Sequence, residues 1–252
     1  EFGGSRGSTA LMLSLNLLVY GLTAPVVGSL CDRWKPYRLI VIGTTVLGLA
    51  TAGCAFASEL WHFYLLFGVL IPVGSACSGT PVLLPTLANW FTRRRGMVIG
   101  LAQMGGGLSF TYGMLVEFII SLVGWRYAYF VIAGILMVVL LPLYIRYYEY
   151  RPEEKGLKPY GAEQEKPTVM LEAAAAQRQP RVGEWALRDA LRTHQFWFMV
   201  GAQSFFWGLG AYMVLGHQVK FAEDVGYSGT FAAAVFALFG IFAAAGQLSS
   251  SL

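Results

Sequence analysis

Charge is scarce in this chain. Only 13% of its 252 residues are Asp, Glu, Lys or Arg, about half the share of an ordinary soluble domain, and long stretches carry none. A free-standing soluble domain is thereby excluded. Acids are rarest inside the apolar stretches, where Glu117 alone stands well within one. The chemistry of paired carboxylates therefore has no foothold there. Cysteine and histidine are also few. Cys31, Cys54 and Cys77 are far apart and lie in or beside apolar runs, so they read as small packing residues and not as a disulfide or metal framework. His62, His194 and His217 are equally scattered, and no metal site follows. No strand and lysine frame a glycine-rich loop as phosphate binding would need. An enzyme is not expected, and no cofactor is implied.

What the chain has instead is apolar length. Hydrophobic residues make up 56% of it, and the mean hydropathy is +0.56. Seven runs stand out, at residues 9–31, 39–57, 60–85, 96–122, 127–147, 195–220 and 229–251. Each is near the length that crosses roughly 30 Å of hydrocarbon as a helix. The runs are continuously apolar, not alternating, which excludes a β-barrel. The expected fold is an all-α integral membrane protein whose partner is the lipid bilayer.

Most gaps between runs are short, so consecutive helices are antiparallel neighbours. The exception is 148–194, with "EEKGLKPYG" and the low-complexity "EAAAAQRQP". It divides the chain into an N-terminal bundle (1–147), a linker (148–194) and the start of a second bundle (195–252). Within the linker, "EWALRDALRTHQF" sets Trp185, Leu187 and Leu191 among charges, a pattern suited to a helix on the membrane surface. Because the chain begins at Glu1 and stops in "GQLSSSL" right after an apolar run, it is read as a piece of a longer protein.

The net charge of +4 falls in the gaps and not along one basic face, so no nucleic acid is expected as a partner. If successive runs alternate sides, the side holding Arg33 collects 15 of the 18 Lys and Arg, and Arg6, Arg126 and Lys220 are left on the other. By the positive-inside rule the Arg33 side, with the linker, is cytoplasmic. The plasma membrane is the expected location.

Between the first two runs stands "GSLCDRWKPYR", residues 28–38. It resembles the Gly-x-x-x-Asp-Arg-x-Gly-x-Arg-Arg signature of the major facilitator superfamily, with Gly28, Asp32, Arg33 and Arg38 at matching places. Lys35 stands where the pattern has glycine, and Tyr37 where a basic residue is common. Two further stretches, "RPEEKGLKPYG" and "HQVKFAEDVGYSGTFAAA", resemble the monocarboxylate-transporter and oxalate/formate-antiporter branch. "ANWFTRRRGMVIGLAQMGGGL" is similar to the family's connection from helix four to helix five. On this resemblance the chain covers family helices two to eight of twelve. It implies a carrier of small organic anions working by alternating access, with protons or exchange supplying the energy, and usually acting as a monomer. Gly28, Asp32, Arg33 and Arg38 would belong to a latch between the two halves. An alternative that fits the helix count is a seven-helix receptor or sensor.

Polar groups inside spans are costly and become candidates for substrate contact. Gln203, Trp207, Gly210, Val214 and His217 recur at helical spacing on the sixth run. His217, as a histidine, could couple protons or bind a carboxylate, or simply meet interfacial water. Ser75 and Ser78 lie on the third run, among Pro72, Pro81 and Pro85, which would break its regularity. Gln103 and Tyr112 on the fourth run, and Asn16 and Tyr20 on the first, are weaker candidates. Gly96, Gly100 and Gly105 to Gly107 read as helix-packing glycines. Animal members of the resembling branch carry an Asp and an Arg on helix eight, at positions aligned with Ala243 and Gln247 here. Gln247 offers hydrogen bonds where arginine would offer a charged fork.

Overall fold

The computed structural model describes residues 6–162, 189 and 191–249. Among them run helices α1 (Arg6–Arg33), α2 (Pro36–Cys54), α3 (Leu60–Trp90), α4 (Arg95–Val123) and α5 (Trp125–Tyr147). Beyond residues 163–188 follow α6, built from His194–Ser204, Phe205–Tyr212 and Met213–Asp224, and α7 (Gly229–Ser249). Helices α1 to α5 are each long and apolar enough to cross a membrane. Every helix begins and ends within a few residues of its apolar run. The amphipathic stretch around Trp185 and Leu187 lies almost wholly outside the described residues.

A buried core shared by α1, α2 and α3 sits beneath the α1–α2 turn. Val27, Cys31, Leu39, Ile40, Ala76 and Val82 are buried together there, with Tyr144 and Tyr148 packed on them. Helices α2 and α3 touch backbone to backbone. A Cβ on Gly43 would stand 2.5 Å from the Cβ of Cys77 and 2.9 Å from the Gly74 oxygen. Only a missing side chain on each helix permits that approach.

The second close approach joins α4 to α7. A Cβ on Gly107 would lie 2.7 Å from the Ala244 nitrogen and 3.2 Å from the Ala243 carbonyl carbon. One turn on, the Thr111 hydroxyl donates to the Ala237 carbonyl at 3.3 Å. At Gly96, Gly105 and Gly106 a Cβ would meet nothing within 4 Å. Among the described residues, then, Gly107 alone of these four glycines meets a neighbouring helix closely. A glycine matters for packing only where it faces a neighbour, and the three at 105–107 face different ways.

The stretch read as linker opens with a docked segment. After α5, the Trp90 indole donates to the Glu149 carbonyl at 2.9 Å, and Thr86 and Tyr148 share a hydroxyl contact of 2.7 Å. Burial pushes the Tyr148 phenol well above its ordinary value, against the opposing effect of that hydrogen bond, so it stays neutral. Pro152 is fully buried, and Lys155 pairs with Glu149 at 3.6 Å. The chain then returns to the α3–α4 turn, where Tyr160 forms a parallel bridge with Phe91. The amides of Thr92 and Arg93 both donate to the Tyr160 carbonyl, and the Tyr160 amide donates to Trp90. Gly161 holds φ +96, pressed against Arg93 and Thr92.

A side chain at Gly161 would have to adopt a backbone strained by about 1–3 kcal/mol. Gly161→Val is therefore expected to undock the segment and raise the rate of tryptic cleavage after Lys155 at least about tenfold. Mass spectrometry of the fragments from detergent-solubilised protein reads this out. Equal rates in the two proteins would mean that the segment is not docked in solution.

Candidate functional site

The α1–α2 turn is short because Pro36 begins α2 only three residues after α1 ends. Pro36, Leu39 and Ile40 are buried, while Asp32, Arg33, Lys35 and Arg38 are exposed around them. A rigid base thus carries a ring of charge. Arg33, in the last turn of α1, suits the negative end of that helix. Asp32 does not, and Lys35, the N-cap of α2 with no side-chain cap bond, faces the positive end of its own helix. Neither charge stabilises the helix that carries it. Among the described residues no ion pair engages Asp32, Arg33 or Arg38. Gly28 is half-buried, and a Cβ there would meet nothing within 4 Å.

The cations of the α3–α4 turn divide differently. Arg95 donates to the Phe91 carbonyl at 3.2 Å and the Ala88 carbonyl at 3.0 Å, closing the C-terminal end of α3. Arg94 takes a left-handed conformation with φ 57.

Candidates within the spans are scattered by the structure more than gathered. Ser78 is buried and donates to the Gly74 carbonyl at 2.9 Å, while Ser75 is half-buried. Gly79, with ψ −147, bends α3 just after them and leaves Val82 and Leu83 donating to its carbonyl. On α6, Gln203, Trp207, Gly210, Val214 and His217 are all exposed. Phe205–Tyr212 is a π-helical stretch, which takes in extra residues per turn. It turns His217 roughly 100° or more away from the α-helical stripe that starts at Gln203. Regular helical spacing therefore overstated how well these residues share a face. Trp207 packs with Tyr212 at 5.6 Å between ring centres.

The structure does bring two candidates level. Helices α4 and α7 run antiparallel, with Gly107 facing Ala244 and Thr111 facing Ala237. One turn further, the same register sets exposed Gln103 opposite half-buried Gln247. Sequence reasoning named both without any signal that they were neighbours. It gave Asn16 little weight, yet the Asn16 amide donates to the Phe67 carbonyl at 2.6 Å.

Comparison with known proteins adds the family. Residues 1–252 match the Major Facilitator Superfamily. Among curated relatives, the chain is 33% identical over 150 residues to monocarboxylate transporter 11 of Homo sapiens, covering 57% of this chain and 32% of that protein. It is 31% identical over 123 residues to monocarboxylate transporter 13 of Bos taurus, covering 48% and 29%. It is also 32% identical over 161 residues to the fujikurins efflux protein of Gibberella fujikuroi, covering 60% and 32%. The matches span about a third of each relative's length.

Proposed function

The chain belongs to the Major Facilitator Superfamily, and on that premise we propose that it is part of a secondary active transporter for small monocarboxylates or related organic anions. The observation that carries the substrate class is the 33% identity to a monocarboxylate transporter. Membership in a family of multi-pass membrane transporters does not favour the receptor alternative or an enzyme. Alternating access needs two bundles that move against each other. The α4–α7 contact, with backbone against backbone at Gly107 and Ala244, supports that reading because no side chain at Gly107 stands between the two helices.

In this reading residues 1–147 and 195–252 belong to opposite halves, and the docked segment moves with the first. The linker and the Asp32 turn face the cytoplasm of a plasma-membrane protein that works as a monomer. Gly28, Asp32, Arg33 and Arg38 form one side of a latch whose other side lies on the second half. The exposed charges of Asp32 and Arg38, set at helix ends that do not favour them, support that role. Arg33→Gln is expected to lower transport about tenfold without lowering thermal stability, since among the described residues the side chain has no hydrogen bond or ion pair to lose. A matching fall in melting temperature would make Arg33 a purely structural residue. Ser75, Ser78, Gln103, Gln203, Trp207, His217 and Gln247 remain the proposed substrate contacts.

The reaction is tested by uptake of labelled lactate, pyruvate, formate and oxalate into proteoliposomes holding the full-length protein. Each anion is offered with and without an imposed pH gradient, and with and without preloaded anion. Uptake driven by the gradient means proton symport, and His217→Ala then abolishes the gradient's effect. Uptake only into preloaded vesicles means exchange. A second reading, export of a different compound class, is favoured by the identity with an efflux protein and by neutral Gln247. Movement of none of the four anions would favour it.

A further inference from the structure

Helix α3 contains a π-helical turn, Leu66–Leu70, immediately before Pro72. Its hydrogen-bond register is explicit, because the Ile71 amide donates to the Leu66 carbonyl five residues back. In that register the next donor would be residue 72 and its acceptor the Phe67 carbonyl. Proline has no N–H to give, and a carbonyl left without a donor inside a membrane is costly. Asn16 of α1 supplies the missing donor, its side-chain amide meeting the Phe67 carbonyl at 2.6 Å.

The two parts of α3, before and after the centre of this turn, are each fixed by close contacts whose partners differ. On one side the Tyr64 hydroxyl donates to the Ser8 carbonyl of α1 at 3.0 Å, and Gly68 stands so near Leu15 that a Cβ would lie 2.7 Å from its side chain. On the other side Gly74 meets α2 at Gly43 and Leu47. A regular α-helix would rotate one part by roughly 100° relative to the other, one residue's worth of turn. Both contacts could not then be made. Helix α5 repeats the local geometry, with Ile135–Leu140 π-helical before Pro142 and the Leu141 amide donating to Leu136. Among the described residues no side chain donates to the equivalent carbonyl of Met137. The π turn thus accompanies proline in both helices, but only α3 has a donor brought in from a neighbour.

We infer that Asn16 is a positioning residue: by standing in for the amide that Pro72 lacks, it holds the register of α3 and so fixes where Ser75 faces. Its bearing on transport rests on the reading that α3 lines the substrate path. A hydrogen bond between membrane helices shifts an equilibrium by roughly 3- to 30-fold, so loss of Asn16 frees α3 to sample the other register to that extent.

The test is a rescue in the full-length protein. Asn16→Leu is expected to lower the melting temperature by about 2–6 °C and to change the rate at which a cysteine at Ser75, in a cysteine-free background, reacts with a water-soluble thiol reagent by about threefold or more. Adding Pro72→Ala restores an amide at position 72, and both readouts should return most of the way to the parent values. Neither readout depends on the substrate, so the inference stands or falls even if no tested anion is carried. If Asn16→Leu leaves both values unchanged, Asn16 has no such role. If Pro72→Ala fails to restore them, Asn16 acts by some means other than replacing the missing donor. Either result overturns the proposal. In a protein that does transport, uptake should follow the same pattern of loss and rescue.

Discussion

Gly107→Leu is expected to abolish transport, while the same replacement at Gly105 or Gly106 leaves it nearly intact. The three glycines are consecutive and equal in helix propensity, so the contrast isolates what each faces. At Gly107 a Cβ would meet the Ala244 nitrogen and Cα at 2.7 and 3.0 Å. These are backbone atoms of α7, which no side-chain rotation can move aside. Leucine must therefore push α4 and α7 apart, a cost of about 1–3 kcal/mol or more where packing is tight. Separated helices also break the Thr111 bond to the Ala237 carbonyl. Uptake by the full-length protein should fall by at least about tenfold, with α1 to α3 still folded. At Gly105 and Gly106 a Cβ meets nothing within 4 Å, and uptake within about twofold of the parent is expected. Equal losses at all three positions would mean that glycine is needed for bending and not for the α4–α7 contact.

The second large effect concerns folding. Gly43→Leu should prevent accumulation of folded protein, read as loss of the monodisperse peak when detergent extracts are chromatographed. The new side chain would enter a site where Cys77 and the Gly74 oxygen already stand within 2.9 Å. Neighbouring Ile40, Thr44 and Ala76 have no exposed surface through which to yield. Gly74→Leu should behave alike, because its Cβ would come within 2.7 Å of the Leu47 amide nitrogen. Gly21→Leu is the control, since that position is open. A normal peak from Gly43→Leu would show that α2 and α3 do not pack this closely.

Much of this fold was legible because membrane helices announce themselves by apolar length. The Asp32–Arg38 turn was legible too, since charge between two uncharged runs has to be a connection. What stayed hidden depends on pairings between distant segments. Nothing in "RPEEKGLKPYG" shows that Tyr160 folds back on Phe91, because a single backbone bridge leaves no periodic pattern. The π turns in α3, α5 and α6 were invisible for a related reason. Proline marks where a helix is disturbed but not whether it kinks or gains a residue. In α6 not even a proline marks the π-helical stretch, so regular spacing placed Gln203 and His217 on one stripe where the structure rotates them apart. Asn16 could be suspected of bonding to a neighbouring helix, but its acceptor became evident only once Phe67 and Pro72 were seen in register.

The most direct test of alternating access is counterflow. Proteoliposomes holding the full-length protein are preloaded with unlabelled lactate, diluted into a trace of labelled lactate, and sampled over time. A carrier that must return loaded is predicted to draw label inward transiently above its equilibrium level before it declines, and Gly107→Leu should remove that overshoot. A monotonic approach to equilibrium would point to an open pore, and no entry of label at all would contradict the assignment of lactate as a substrate.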